Sequence, residues 1–154
     1  QDRARRQRLG VARSTDGATW EKYRGNPILE LGSPGMFDDT GLGEPAVWSQ
    51  HGWYWMLYTA RDRKEYRRFG LARSRDGVNW RRVTEQPVLS GTQQWNSKVI
   101  CDPTVLIEGD LVRVWFGGRV CAFAGFVVRV LPGARRTWPA APIFWKRKSA
   151  IWGG

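Results

Sequence analysis

Apolar and polar residues alternate in short runs along this chain, and turn residues separate the runs. Residues 44–49 form one apolar run, and residues 53–60 form a second that is rich in Trp, Tyr and Thr. Such side chains suit a pleated, half-buried surface, so both runs predict β-strands. Two more strands are predicted at residues 69–74 and 80–83, around a turn at residues 75–79. Helical periodicity is nowhere evident, and the pattern predicts an all-β fold.

The strand pattern occurs twice. Residues 10–20 read GVARSTDGATW, and residues 70–80 read GLARSRDGVNW. A second pair of matching segments, Glu44-Pro45-Ala46-Val47 and Asp102-Pro103-Thr104-Val105, follows in the same order and at nearly the same spacing. Repeats of this size are copies of one supersecondary unit, and the copies must stack because one unit cannot bury its own faces.

Four strands in about 60 residues, with a recurring Asp-Gly-x-x-Trp turn, predict a blade of a β-propeller. A β-sandwich with two similar halves is the alternative. In an up-and-down blade the first strand lines the central channel, so residues 37–44, 61–68 and 93–102 are expected on one rim. The tight turns at His51-Gly52 and Asp76-Gly77 are expected on the opposite rim. Functional residues are therefore expected in residues 37–44, 61–68 and 93–102.

The chain of 154 residues holds two good copies of the unit, near residues 10–60 and 70–118. A closed propeller needs about four blades or more. The sequence therefore predicts a partial propeller of about two to two and a half four-stranded blades, from a longer protein. The chain begins at Gln1 without an initiator Met, so its localisation is not predicted, and no apolar run is long enough to span a membrane.

Positive charge is concentrated at the C-terminal end. Of a net charge of +11, residues 1–118 carry 18 Lys/Arg and 14 Asp/Glu, whereas residues 119–154 carry seven Lys/Arg and no acid. The repeat also fails after Gly118, so residues 119–154 are expected to be a degenerate third blade or a tail translated in a shifted frame. Within residues 1–118, which form the predicted blades, Arg residues are interleaved with acids, so nucleic acid is not a predicted partner.

Cysteine and histidine provide no predicted metal site. Cys101 and Cys121 lack metal-ligand spacing and make no disulfide framework. Cys101 is expected to end a buried inner strand, which is common for a free cysteine. His51, the one histidine, is expected on the rim opposite the candidate residues. No cofactor and no metal are predicted.

Two acids occupy equivalent positions at the starts of inner strands. Glu44 and Asp102 each precede a proline, and equivalent positions around an axis face one another across the channel mouth. Glycoside hydrolysis uses such a pair, with one carboxylic acid that protonates the leaving oxygen and one carboxylate that acts as base or nucleophile. The alternative is that both acids only accept hydrogen bonds from amides of their own turns.

Six further residues on the same rim are candidates for substrate binding. Arginine presents a fork of donors to hydroxyl or phosphate groups, and a tryptophan outside the repeat register can stack on a sugar ring. Solvated ion pairs, polar turns and blade packing are the alternatives for these side chains. The candidates are Asp38, Asp39, Arg61, Asp62, Lys98 and Trp95.

Three segments resemble blades of the five-bladed glycoside hydrolase propellers. They are the repeated turn segment at residues 70–80, Cys101-Asp102-Pro103-Thr104-Val105, and Trp53-Tyr54-Trp55-Met56-Leu57-Tyr58-Thr59. These propellers are those of the arabinanase, levansucrase and invertase group, with the mannoside phosphorylases. The resemblance covers residues 9–118. It implies a five-bladed ring, a carbohydrate substrate and three inner-strand acids, in which Asp102 resembles one of two aspartates and Glu44 could resemble the general acid.

The expected function is therefore that of a carbohydrate-active protein, as a fragment of a glycoside hydrolase or phosphorylase that acts through inner-strand carboxylates. The alternative is a noncatalytic propeller module that binds a glycan or a protein on its rim. The fragment alone is expected to be inactive, because it can neither close the ring nor supply a third acid from another blade. No oligomeric state is predicted.

Overall fold

A computed structural model of the chain describes residues 6–119, and the regular structure in this range is β-sheet. No helix within these residues is long and apolar enough to cross a membrane. The eight strands are β1 (Ala12–Arg13), β2 (Glu21–Lys22), β3 (Gly41–Gln50), β4 (Trp53–Arg61), β5 (Arg67–Ser74), β6 (Arg81–Arg82), β7 (Val99–Glu108) and β8 (Leu111–Arg119).

The strands form one complete blade between two half-blades. Strands β3 to β6 pair in chain order as an antiparallel sheet, and this is the complete blade. Strands β1 and β2 correspond to the outer half of the preceding blade, and β7 and β8 to the inner half of the next one. The strands amount to two blades, which confirms the predicted partial propeller and excludes two halves packed as a sandwich.

The Asp-Gly turns of the two copies have the same hydrogen bonds. Asp76 Oδ1 accepts the backbone N–H groups of Val78 at 3.0 Å and of Asn79 at 2.8 Å. Gly77 has a φ of +79°, a conformation that a residue with a Cβ rarely adopts. Asp16 accepts the two equivalent bonds in the first copy. These backbone bonds hold the pKa of both carboxyl groups well below their usual range.

Two apolar cores lie between blades rather than inside one. A blade has apolar side chains on both faces of its sheet, so each face is buried against the next blade. The first core joins the first half-blade to the complete blade, and the second joins the complete blade to the last half-blade. The first contains Leu9, Leu29, Phe37, Leu42, Met56, Tyr58, Ala60, Ala72 and Trp80, and the second contains Leu57, Phe69, Ile100, Val112, Val114 and Phe116.

Tyr58 lies at the centre of the first core, over a glycine. It pairs with Gly70 across β4 and β5, and a Cβ at Gly70 would lie 2.2 Å from the Tyr58 ring. Its hydroxyl donates to Asp38 Oδ2 at 3.3 Å. Burial, and next the charge of Asp38, raises the pKa of Tyr58 above its usual value. Tyr58 therefore stays a hydrogen-bond donor at neutral pH.

Asp38 ties the loop before β3 to the outer strand of the complete blade. Its side chain is 1% exposed, and Arg82 Nε donates to its Oδ2 at 2.7 Å. Arg82 also donates to the carbonyl oxygen of Glu30, so one guanidinium joins the two blades. Burial of a carboxylate is costly unless a cation and hydrogen bonds compensate it, and Arg82 and Tyr58 supply both.

The three segments predicted for one rim do lie together. The Thr40 N–H and hydroxyl both donate to the carbonyl oxygen of Arg61, at 3.0 Å and 2.9 Å. The Arg67 N–H donates to the carbonyl oxygen of Lys98 at 2.9 Å. On the opposite rim, Arg75 Nη1 donates to the carbonyl oxygen of Gly52 at 2.9 Å. The blade geometry therefore sorts the loops as the repeat predicts.

The predicted boundary at residue 118 lies at the edge of the described residues. Strand β8 ends at Arg119, and the remainder of residues 119–154 lies outside the described residues. The division into blades at residues 1–118 and a degenerate blade or frame-shifted tail at residues 119–154 therefore stays a prediction.

We expect Arg82→Ala to lower the free energy of unfolding by about 3 kcal/mol, because it leaves the buried charge of Asp38 without its cation. The measurement is urea unfolding followed by tryptophan fluorescence. Arg81→Ala, an exposed neighbour on the same strand, is the control and should change the free energy by about 0.5 kcal/mol or less. Adding Asp38→Asn to Arg82→Ala should recover part of the loss, and purely additive effects would contradict the pairing.

We expect stability to fall as the pH decreases below about 4, through the turn carboxylates. The pKa of Asp16 and of Asp76 is lower in the folded chain than in the unfolded chain, so the unfolded chain binds more protons in this range. The stabilisation is complete above the unfolded pKa and is lost as the pH falls toward the folded one. Asp76→Asn should make urea midpoints depend less steeply on pH between about 5 and 2, and Asp16→Asn should act in the same direction.

Candidate functional site

Glu44 and Asp102 occupy matching β-bulges. The pairing of β3 with β4 shifts register at Glu44-Pro45, and that of β7 with β8 shifts at Asp102-Pro103. Glu44 has a φ of 50° and Asp102 a φ of 53°, in the left-handed region that residues other than glycine seldom adopt. Such a backbone costs about 1–3 kcal/mol per residue, and it is concentrated at sites where the direction of a side chain matters.

The two acids lie close together where the complete blade meets the last half-blade. The Asp102 N–H donates to Glu44 Oε2 at 3.1 Å. One oxygen of each carboxylate and the Cys101 Sγ all lie within 4.8 Å of one another. Arg67 Nη1 lies 3.6 Å from Glu44 Oε1. Both oxygens of Glu44 therefore face hydrogen-bond donors, and Asp102 is the more exposed acid.

Cys101 is half-buried in β7 beside the acids. Burial raises the pKa of its thiol to about 12, and the hydrogen bond and charge of Asp102 and the charge of Glu44 act in the same direction. The thiol is therefore protonated at neutral pH, and a thiol binds metal or attacks a substrate only as the thiolate. At neutral pH the ionised groups of this cluster are therefore the carboxylates rather than the thiol.

Arg67 is a member of the site that the sequence analysis missed. It begins β5, and its guanidinium reaches Glu44 from the same blade. The equivalent residue of the first copy, at the same distance before the repeated glycine, is Gln7. A change from Gln to Arg at a rim position of an otherwise matching repeat is the signal that could have identified it.

Asp39 and Asp38 are buried side chains of the loop before β3. The Asp39 side chain is 2% exposed, accepts the Gly35 N–H at 2.8 Å and forms an ion pair with Arg63 Nε at 3.0 Å. Asp38 is engaged by Arg82, as described above. In this structure their contacts order the loop before β3, and a role of either residue in substrate binding stays a prediction.

Arg61 and Asp62 lie at the end of β4 on the candidate rim. Asp62 Oδ1 accepts the N–H groups of Lys64 and Tyr66, and its Oδ2 pairs with Arg68 at 2.8 Å. Burial opposes ionisation of Asp62, but the bonds from Arg68 and from the two amides outweigh it and lower the pKa. Arg61 forms an ion pair with Glu65, in which Arg61 Nη1 lies 3.5 Å from Glu65 Oε2.

Lys98 and Trp95 lie in the loop before β7. Lys98 is exposed, and its carbonyl oxygen accepts the Arg67 N–H. The Trp95 ring packs against the second core and against Gly118, where an added Cβ would lie 2.4 Å from the indole. The structure thus joins Glu44, Asp102 and Arg67 by direct contact, and the backbone of Lys98 contacts that of Arg67.

A family model matches most of the described chain. Residues 1–97 match the glycosyl hydrolases family 32 N-terminal domain. No curated protein sequence matches the chain.

Solved structures share the fold. A glycoside hydrolase is similar with a TM-score of 0.60 and 22% identity, over 72% of this chain and 31% of that one. A family 32 β-fructofuranosidase from Bombyx mori is similar with a TM-score of 0.55 and 22% identity, over 71% of this chain and 22% of that one. A third structure is similar with a TM-score of 0.54 and 18% identity, over 70% of this chain and 34% of that one. It comes from a study of family 130, a family of mannoside phosphorylases that contains glycoside hydrolases targeting β-1,2 mannosidic linkages in Candida mannan.

The chain spans between 22% and 34% of the length of these three structures, so it corresponds to a part of their propellers. The family match and the stacked blades confirm the resemblance that the sequence motifs indicate over residues 9–118. The chain belongs to the glycosyl hydrolases family 32 N-terminal domain.

Proposed function

We propose that the protein whose propeller contains these blades acts on a carbohydrate, and that it cleaves or phosphorolyses a glycosidic bond with the help of Glu44 and Asp102. Membership of family 32 supports the substrate class. The observation that carries the residue assignment is the pair of left-handed bulges, which hold two acids from adjacent blades against each other.

The separation of the acids favours a retaining reaction. Oxygens of Glu44 and Asp102 lie within 4.8 Å, which is near the roughly 5–5.5 Å between carboxyl groups of retaining enzymes and below the roughly 6.5–9.5 Å of inverting ones. One carboxylate would attack the anomeric carbon as the other group protonates the leaving oxygen. Water, or phosphate in a phosphorolytic reaction, would then take the glycosyl group and release the first carboxylate.

Arg67 would be a positioning residue. Its guanidinium and the Asp102 N–H together contact both oxygens of Glu44, which limits the rotation of that carboxylate. Arg61, Asp62 and Lys98 line the same rim and remain our candidates for contacts with substrate hydroxyl groups. Asp38, Asp39 and Trp95 also remain candidates for substrate binding, and their contacts order the loops on that rim.

The test uses the full-length protein on a panel of aryl glycosides and oligosaccharides. Asp102→Asn and Glu44→Gln should each lower kcat/KM by about 10²- to 10⁴-fold, because each removes a proton-transfer or nucleophilic group. Asp110→Asn is the matched control, since it changes an exposed acid on the turn between β7 and β8, on the opposite rim. The anomeric configuration of the first product, followed by NMR, should be that of the substrate.

Two results would contradict the assignment. Full activity of Asp102→Asn or Glu44→Gln would remove that residue from the catalytic pair. A parent protein that binds glycans but cleaves none of the panel, with or without phosphate, would favour the noncatalytic module. Arg67→Lys should retain more activity than Arg67→Gln if the cation positions Glu44.

A further inference from the structure

Three arginines of the complete blade have no acid partner within residues 6–119. They are Arg73 on β5, Arg75 in the turn that follows it and Arg81 on β6. All other arginines between residues 41 and 82 form ion pairs, and they are Arg61, Arg63, Arg67, Arg68 and Arg82. The three arginines without an acid partner are also neighbours in the fold, which sets them apart from scattered surface cations.

The three guanidinium groups lie around one indole ring. Arg73 is directly opposite Arg81 in the pairing of β5 with β6, so their Cβ atoms lie about 5 Å apart on the same face of the sheet. Cζ of Arg73 lies 4.5 Å, and Cζ of Arg75 3.7 Å, from the centre of the Trp53 ring. Arg75 Nη1 also donates to the carbonyl oxygen of Gly52 at 2.9 Å. These three arginines and Trp53 form the arginine cluster, in which the contacts with the ring hold two guanidinium groups in place.

The first copy of the repeat has an ion pair at the same place. Arg13 occupies the position of Arg73, and its Nη2 lies 2.8 Å from Oε2 of Glu21. Glu21 occupies the position of Arg81 on the paired strand. Like charges directly opposite on two strands destabilise their pairing. The second copy therefore has a repulsion where the first has an attraction, and an anion bound between its two guanidinium groups would remove that repulsion.

The exposure of the cluster does not depend on which blade follows. Leu9 and Arg13 lie on the same face of the first half-blade, because they are four residues apart in extended chain, and Leu9 is buried against the complete blade. The side chains of Arg13 and Glu21 are nevertheless 84% and 62% exposed. A residue at the position of Arg73 thus stays open to solvent even beside a blade of four strands.

The cluster presents many hydrogen-bond donors. A guanidinium group carries five N–H donors. Within the described range the side chains of Arg73 and Arg81 donate no hydrogen bond, and that of Arg75 donates one, to Gly52. The carboxylate of Asp76, beside Arg75 in the chain, already accepts four hydrogen bonds from its own turn. The planar donor forks of arginine bind carboxylate groups and tetrahedral oxyanions, often through two parallel hydrogen bonds.

We propose that the arginine cluster binds the anionic groups of an acidic glycan, a carbohydrate chain that carries carboxylate or sulfate groups. The carbohydrate nature of the ligand rests on the proposed function, whereas its charge follows from the cluster itself. Three cations at one end of a blade suit a local group of anions. A nucleic acid duplex is instead bound by a longer stripe of one sign.

The cluster lies on the rim opposite the two acids of the candidate site. Arg75 contacts Gly52 in the turn between β3 and β4, whereas Glu44 lies near the other end of β3 and Asp102 near the corresponding end of β7. A group bound at the cluster therefore does not touch the acid pair. The cluster would hold a polymeric ligand on the protein and raise its local concentration at the candidate site.

The first experiment measures binding to the full-length protein by isothermal titration calorimetry. The ligands are polygalacturonate for carboxylate groups, dextran sulfate for sulfate groups, neutral dextran and double-stranded DNA. We expect at least one acidic glycan to bind, more weakly at about 0.3 M than at about 0.05 M NaCl because salt screens exposed charges, and dextran not to bind. Binding of neither acidic glycan, or binding of DNA as tightly as the acidic glycans, would overturn the proposal.

The second experiment compares matched variants. Arg73→Gln, Arg75→Gln and Arg81→Gln should each raise the Kd for the acidic glycan about two- to fivefold, as expected for an exposed ion pair, and the triple variant should raise it at least about tenfold. Arg13→Gln is the control, because Arg13 is an exposed arginine at the repeat position of Arg73 whose charge is already paired with Glu21. It should leave the Kd unchanged. A triple variant that binds as tightly as the parent would overturn the proposal.

Arg81→Glu separates binding from a purely structural role. It recreates on β5 and β6 the ion pair that Arg13 and Glu21 form in the first copy, so the urea midpoint should equal or exceed that of the parent. The same change removes one cation and adds an anion, so it should raise the Kd at least about tenfold. Arg81→Lys should retain more of the binding. A folded Arg81→Glu variant with the Kd of the parent would contradict the proposed site.

Activity measurements distinguish this inference from the proposed function. The triple variant should cleave small aryl glycosides with the kcat/KM of the parent, because the cluster lies on the rim opposite the acid pair. A protein that cleaves no glycoside, but binds an acidic glycan through the three arginines, would contradict the proposed function and support the cluster as a binding site. A protein that cleaves neutral glycosides but binds neither acidic glycan would support the proposed function and overturn the inference.

Discussion

Every element of this structure depends on the packing of one blade against the next. The sheet of the complete blade has apolar side chains on both faces, and neither face is covered by its own strands. Tyr58 and Met56 are buried against the first half-blade, and Phe69 is buried against the last, where it meets Phe116 edge to face at 5.5 Å. Full burial of such a side chain contributes about 1.5–3 kcal/mol, so stability grows with the number of stacked blades.

The stacking also determines the electrostatics of the candidate rim. Arginines reach acids on the same rim or in the same loop, and the pairs are Arg61 with Glu65, Arg63 with Asp39, Arg67 with Glu44 and Arg68 with Asp62. The positive charge of the loop after β4 is therefore distributed among ion pairs. This arrangement leaves polar, hydrogen-bonding groups around the two central acids instead of a surface of one sign.

The bulges at Glu44 and Asp102 connect the fold with the proposed chemistry. A regular strand would alternate its side chains between the two faces of the sheet and would direct an acid into an interface between blades. A left-handed residue interrupts that alternation. Its backbone strain is offset by the regular strand pairing on either side of the bulge, which resumes after each proline. Because the same bulge occurs in two blades, one acid from each blade lies at a common position. Arg67 neutralises part of their charge.

The sequence by itself determined the strands, the turns and the repeat, because they depend on local properties. The Asp-Gly turns follow from a carboxylate that accepts nearby amides and a glycine that takes a positive φ, and the strand at residues 53–61 follows from its aromatic and β-branched side chains. The family resemblance and the shared rim follow from the repeat. Tertiary structure alone decided that Trp80 is buried while Trp20 is exposed, that Asp38 is paired with Arg82 from a distant strand, and that Arg67 reaches Glu44. These outcomes depend on which blade lies beside each residue, and two closely similar local sequences carry no information about their neighbours.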